Sequence, residues 1–369
     1  MRWFAPGRVT LIGDHTDYQY GWVLPFAIAA GTTVNVEIND TFTLEVSSTH
    51  HPEHRITPID QLTAHSDSWA AYVEGAVAVL FEHGEHGEFG EHGATLPGAR
   101  IDIDSDLPIG AGLSSSAALT CATLCAVSQA LGRTPDPRDI AALAQRVENE
   151  FVGAPVGYLD PAAVMFGRDG HAMVVDTRSR DVAHVPLPLA SHDLTTLLFD
   201  SGHQHATTGT GYGERVSQCA SAARQLGVAS LRDVTELDQL SSLDRGVSQR
   251  RARHVVSENQ RVQHVAELLR AGRVRDIGPH LTASHASLRD DFEVSTPALD
   301  AIVDAALGAG ALGARVTGAG FGGHALVLTD VAAAPRVVDA VNETFQRHCG
   351  RQPAMREVRP SAGARQLPD

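Results

Sequence analysis

Residues 105–120 read SDLPIGAGLSSSAALT. A strand running into Pro108 gives way to a loop spaced by Gly110 and Gly112, and Ser114, Ser115 and Ser116 open an apolar helix expected over Ser115 to Leu131. Glycines let a backbone approach a ligand closely, and the unpaired amides and dipole of a helix start attract an anion. The stretch therefore reads as a phosphate cradle. A plain N-capped helix would also place a serine here, but three in a row exceed the needs of one cap.

The chain of 369 residues contains no lysine, so all 29 of its basic residues are arginines. That excludes a Walker A loop, the strand lysine of protein kinases and Schiff-base chemistry, each of which needs a lysine amine. A net charge of −15 argues against nucleic acid or an anionic membrane as partner and leaves small molecules. Cys121, Cys125, Cys219 and Cys349 form no CxxC pair, and Cys121 and Cys125 are expected as buried thiols of an apolar helix. No charged-then-apolar leader and no apolar run of roughly 18 residues is found, so the expected location is cytoplasmic.

At roughly 150 residues per domain, the length suggests two domains. Strand patterns occupy Val23 to Asn39, Thr41 to Ser47 and Ala99 to Asp104, with helical periodicity at Trp69 to Phe81. Helices are expected at Asp139 to Phe151, Glu214 to Leu226, Val247 to Ala271, Pro279 to Asp290, Pro297 to Leu307 and Pro335 to His348, with strands at His171 to Asp176 and Thr195 to Asp200. The class is α+β, with a boundary near Arg178 to His192 and a tail rich in Arg, Pro and Gly. The Glu-His-Gly tract from Glu82 to Gly93 reads as an exposed loop, although His-rich tracts also bind metal.

Two further segments bear glycines. Arg315 to Leu328, RVTGAGFGGHALVL, matches GxGxxG at Gly318, Gly320 and Gly323, yet a strand follows where the dinucleotide fingerprint needs a helix. A loop between two strands is expected to fold over the nucleotide site. Ala5 to Pro25, APGRVTLIGDHTDYQYGWVLP, gathers Arg8, Asp14, His15 and Asp17 around a glycine turn, a set that suits hydroxyl recognition or, alternatively, a solvated Asx turn.

In this order the three segments resemble the GHMP small-molecule kinases, and GRVTLIGDHTDYQYG from Gly7 looks like the signature GRVNLIGEHTDYNGG of their galactokinase branch. RVENEFVGAPVGYLD (146–160), FDSGHQHATTGTGYGERVSQC (199–219), RHVVSENQRVQ (253–263) and SHASLRDDFEVSTPALD (284–300) extend the likeness from Ala5 to about Leu328. The resemblance implies an N-terminal ribosomal-protein-S5-like α+β domain over 1–180, a C-terminal ferredoxin-like α/β sandwich over 181–369, and an active site between them. It implies transfer of the γ-phosphoryl of MgATP to the anomeric hydroxyl of galactose, by a protein that is expected to be a monomer. Kinases of arabinose or N-acetylgalactosamine, or a silent sugar and ATP sensor, are the alternatives.

By the same resemblance Asp160 accepts the sugar hydroxyl proton and Arg8 balances charge beside it. Gly110, Ala111, Gly112, Leu113, Ser114, Ser115 and Ser116 wrap the phosphates, and Ser116 and Glu148 hold Mg2+. Asp14, His15, Thr16, Asp17, Gly157 and Tyr212 line the sugar, with Asp17 fixing the C3 and C4 hydroxyls. Glu150, two residues from Glu148, is expected to be a solvated charge. Three positions depart from the pattern. Asp14 replaces a Glu that contacts the C6 hydroxyl and is one methylene short; Gln19-Tyr20-Gly21 replaces Asn-Gly-Gly; and Pro161, in place of Gln, is expected to push Asp160 toward extended geometry.

Overall fold

The computed structural model describes residues 1–64, 68–86, 97–108, 110, 112–134, 136–154, 156–202 and 210–368. In chain order come β1 (Arg2–Ile12), β2 (Trp22–Ile38), β3 (Thr43–Ser48), β4 (His51–Pro58), α1 (Ala71–His86), β5 (Ala99–Ser105), α2 (Ser115–Ala130), α3 (Pro137–Arg146), α4 (Leu159–Phe166), β6 (His171–Asp176) and β7 (Asp181–Pro186). There follow β8 (Leu194–Asp200), α5 (Thr210–Leu226), α6 (Val247–Arg270), α7 (Gly278–Asp290), α8 (Pro297–Gly308), β9 (Gly313–Thr317), β10 (His324–Asp330), α9 (Ala334–Cys349), β11 (Ala354–Val358) and β12 (Arg365–Gln366).

Among the described residues the strands form two sheets. The larger runs β12-β1-β2-β5-β3-β4, with β6 and then β7 joined to β2, and the smaller runs β11-β8-β10-β9. The smaller sheet is antiparallel throughout, and its order with helices between β8 and β9 and between β10 and β11 is the βαββαβ arrangement of ferredoxin-like folds. Alternation along its strands sends Leu198, Leu326 and Leu328 to the core of the larger unit, and Leu197, Phe199, Ala325 and Val327 to a second core with α8 and α9. The core of the larger unit thus takes in residues of β8 and β10, so the two units share part of one apolar core.

The sequence reading needs three corrections and one addition here. The helix expected to end at Phe81 runs to His86, because each added residue gains a hydrogen bond once a helix is nucleated, so the start of the Glu-His-Gly tract is helical; residues 87–93 lie outside the described ones. The helix expected from Asp139 to Phe151 is two elements. Asp136 caps α3 by accepting from Arg138 N at 2.8 Å, and a π-helical turn takes over at Val147–Val152. The tail rich in Arg, Pro and Gly carries two strands that the sequence reading does not place: β11 pairs with β8, and β12 pairs with β1. Asp160 and Pro161 both lie in the first turn of α4, where a proline's missing amide is one of the helix's unpaired donors anyway.

β7 pairs with β6 in the larger sheet. A division at residue 180 would separate the two strands of that hairpin, so we propose that the units meet instead in the 3-10 turn Ala190–His192. Cys121, Cys125 and Cys219 are buried free thiols. Burial raises Cys121 well above the ordinary thiol range and Cys125 to about 12, which leaves both inert.

Candidate active site

The turn between β1 and β2 carries Asp14, His15, Thr16 and Asp17. Thr16 is fully buried, and its hydroxyl lies 2.9 Å from Gly13 O and 2.8 Å from Trp22 O, so its side chain shapes the turn instead of facing a ligand. His15 takes a left-handed backbone, φ 65°, a conformation that costs a non-glycine residue about 1–3 kcal/mol and persists only when its surroundings enforce it. Its Nε2 donates to Ala319 O at 3.0 Å, and Nδ1, 3.1 Å from the Tyr18 hydroxyl, accepts from it. Burial first, then the neighbouring charges, push His15 down to about 3, so the ring is neutral. Its rings of contact are Phe292 at 4.8 Å and Tyr212 at 5.8 Å between centroids.

Asp17 is half-buried next to Asp160. Desolvation and the Asp160 charge raise its carboxyl to about 6. Gly157 closes over it, and a Cβ there would lie 2.0 Å from Asp17 Oδ2, so no other residue fits without moving the carboxylate. Burial drives Tyr212, on α5, well above the ordinary phenol range, with Asp17 and Asp160 adding to the effect. The phenol thus keeps its proton and faces the same space as the two carboxylates.

Across that space lies the serine loop. Ser114 adopts φ 60° at the start of α2, makes no capping bond, and its buried hydroxyl has no partner among the described residues. A cap would have used that oxygen, so the plain-cap alternative loses. Gly112 has φ 75° and open space where a Cβ would point. Ala111 lies outside the described residues, while Gly110, Leu113, Ser115 and Ser116 complete the loop and the first turn. Ser116 donates to Glu148 Oε2 at 3.1 Å, and Glu148 Oε1 is buried with no partner among the described residues. Burial, then the Asp160 charge, raise Glu148 to about 8, outweighing the Ser116 bond and Arg8. A buried carboxylate with one idle oxygen beside a hydroxyl fits a divalent cation that takes its other ligands from phosphate and water. Glu150, by contrast, sits at the surface with Arg146 at 2.6 Å.

Arg8 joins the two halves of the site. Its Nε and Nη2 hold Asp160 Oδ1 at 2.7 and 2.6 Å, Nη1 donates to Gly112 O at 2.5 Å, and its backbone amide donates to Leu113 O at 3.2 Å. Asp160 remains 24 % exposed, which leaves Oδ2 open to a ligand.

Sequence reasoning missed the groups that hold the β1–β2 turn from behind. Glu258 of α6 accepts from Gly13 N at 2.9 Å and Ser284 Oγ at 2.6 Å, and pairs with Arg261 at 2.7 Å. Burial alone would raise Glu258, but Arg261, Arg315, His254 and the Ser284 bond bring it down to about 2. Arg315 of β9, fully buried, donates to Leu11 O at 2.9 Å and pairs with Asp14. His254 bonds Asp14 O at 3.1 Å, and Gly318 N donates to Asp14 Oδ1 at 3.1 Å. The glycine loop 318–323 therefore packs on the β1–β2 turn, and a Cβ at Gly318 would lie 3.2 Å from Gly112 O. The signal was present: His254, Glu258 and Arg261 recur at helical spacing on one face of an otherwise ordinary helix.

Family models match three parts of the chain: the galactokinase galactose-binding signature at residues 1–37, the GHMP kinases N terminal domain at 71–168 and the GHMP kinases C terminal region at 265–347. The chain is 41% identical to a galactokinase of Streptomyces coelicolor over 99% of this chain and 94% of that one. It is 37% identical to a galactokinase of Thermococcus kodakarensis over 98% of this chain and 99% of that one. Among solved structures it superposes on a Lactococcus lactis galactokinase complexed with galactose, with a TM-score of 0.92 and 28% identity over 99% of this chain and 95% of that one.

Proposed function

We infer the work of individual residues from the premise that this chain belongs to the galactokinase family of the GHMP kinases and phosphorylates galactose with ATP. The observation that carries the inference is the contact of Arg8 with both Asp160 and the serine loop, which puts a proton acceptor and a phosphate cradle on one guanidinium. Asp160 Oδ2, the oxygen that Arg8 leaves free, accepts the proton of the anomeric hydroxyl as that oxygen attacks the γ-phosphoryl. Arg8 keeps the carboxylate oriented and offsets charge on the transferring group. Loop amides and the Ser114 hydroxyl hold phosphate oxygens. Ser116 and Glu148 would hold Mg2+, which neutralises phosphate charge when bound. Use of ATP supports a cytoplasmic enzyme, and we propose that it acts as a monomer; among the described residues no helix is long and apolar enough to cross a membrane.

The complete catalytic set argues against a silent sensor, and the galactokinase relatives favour galactose over arabinose or N-acetylgalactosamine. An ATP-consumption assay across a sugar panel tests the reading: turnover of arabinose or N-acetylgalactosamine in preference to galactose overturns it.

Asp17 and Tyr212 are proposed to grip the sugar ring, Asp17 as a two-oxygen acceptor for adjacent hydroxyls. A protonated carboxyl accepts less well, so KM for galactose should climb as pH falls through about 6, the value to which burial raises Asp17, with ATP kept saturating. A flat KM between neutral pH and 5 would show that the ionised carboxylate is not the sugar's partner. Gly157→Ala should raise KM for galactose about tenfold, the loss of one hydrogen bond to a charged group, because its Cβ displaces Asp17. KM for ATP serves as the internal control and should stay unchanged.

A further inference from the structure

We infer that Asp14 is a positioning residue, which anchors the sugar turn to Arg315 and leaves the C6 hydroxyl of the sugar unread by its carboxylate. Asp14 is 5% exposed, and each oxygen is already engaged: Oδ1 by Gly318 N at 3.1 Å and Oδ2 by Arg315. Its carbonyl accepts from His254 at 3.1 Å. The residues before it are tied in the same way, Leu11 O to Arg315 at 2.9 Å and Gly13 N to Glu258 at 2.9 Å. Strand β9, the glycine loop and helix α6 thus converge on Leu11, Gly13 and Asp14, immediately before His15 and Asp17.

Turning the Asp14 carboxylate toward a ligand would strip Arg315, which has no exposure of its own, of its closest counter-charge. A buried charge left alone costs more than one neutral hydroxyl contact returns, so the carboxylate stays where it is. The next acid to Arg315 is Glu258 at 4.0 Å, already committed to Arg261 and Ser284, and it cannot serve as a substitute. Asp14 therefore acts on the sugar through the backbone of its own turn. Discrimination is left to Asp17, Gly157 and Tyr212, at the end of the ring next to Asp160.

The inference rests on the sugar site assigned above, and kinetics with galactose and 6-deoxygalactose separate the two. Asp14→Asn keeps the shape and removes the charge. It should raise KM for both sugars by the same factor, about tenfold, with the ratio of their kcat/KM values unaltered and KM for ATP moved by less than about twofold. Arg315→Lys should give the same pattern from the other side of the pair. A ratio that narrows about tenfold in Asp14→Asn would mean that the carboxylate does bind the C6 hydroxyl, and overturns the inference alone. A lower melting temperature with both sugar KM values unchanged would make Asp14 merely structural, which also overturns it. Absence of galactose turnover by the unsubstituted chain would overturn the sugar assignment and this inference with it.

Discussion

Asp160→Asn should lower kcat for galactose by roughly 10²–10⁴-fold, the range that a positioned general base supplies. The substitution is isosteric, and the amide oxygen can still accept from Arg8, so the geometry around Oδ1 at 2.6–2.7 Å should survive. What disappears is the capacity of the second position to take a proton, since an amide nitrogen has no lone pair to offer. Asn is also well tolerated at a helix start, and the side chain is 24 % exposed, so the fold should lose little stability. Calorimetric binding of galactose should persist while ADP release falls. Near-normal turnover in this variant would remove Asp160 from the chemistry and leave Arg8 to act on phosphate alone. Arg8→Ala would then be the more damaging change of the two, because it alone touches both Asp160 and Gly112.

The parts of this site that were legible in the sequence are those whose chemistry is local. The serine loop announces itself because glycine spacing, a helix start and hydroxyl-bearing residues occur within a dozen positions, and in the structure the buried Ser114 hydroxyl makes no capping bond and has no partner among the described residues. Glu148 and Glu150 were separated correctly because their spacing puts them on different faces, one buried and one paired with Arg146 at the surface. The anchoring of Asp14 to Arg315 was not legible because the partner lies 301 residues away on β9, and no local pattern ties the two together. His15 shows the same limit: as a residue type it suits sugar hydroxyls, yet both ring nitrogens are claimed by Tyr18 and Ala319, and burial keeps the ring uncharged. Pro161 failed in the opposite direction. A local rule disfavours helix before proline, and the packing of α4 against the neighbouring elements overrides it by placing the proline where no amide is needed.

Arg315→Met should be the most destabilising single change in the site, by about 3–5 kcal/mol, because it leaves Asp14 as a buried carboxylate without its cation. Methionine fills much of the volume, so the loss is one of charge and hydrogen bonds more than of packing: Leu11 O and Asp14 Oδ2 both lose a donor. The pH dependence separates this cause from a general packing defect. In the intact chain burial already holds Asp14 near 6 against an ordinary value of 3.8, with Arg315 the strongest of the groups that oppose the rise. Removing Arg315 lifts the folded-state value further, whereas the unfolded value stays put. An acid whose folded value is raised binds its proton more tightly in the folded state, so its contribution favours folding at low pH and is lost as pH rises through the folded value. The stability gap between Arg315→Met and the intact chain should accordingly be widest at pH 8 and narrow as pH falls below about 6, where Asp14 becomes neutral in both. Glu258 acts in the same direction, since Arg315 also helps to hold it down near 2 and its loss lets that acid protonate more readily. Urea unfolding at pH 5 and pH 8 reads the gap directly. An equal loss at both pH values would mean that the variant suffers only from a misfitted side chain, and that the charge on Asp14 is not what binds the first segment of the chain to β9.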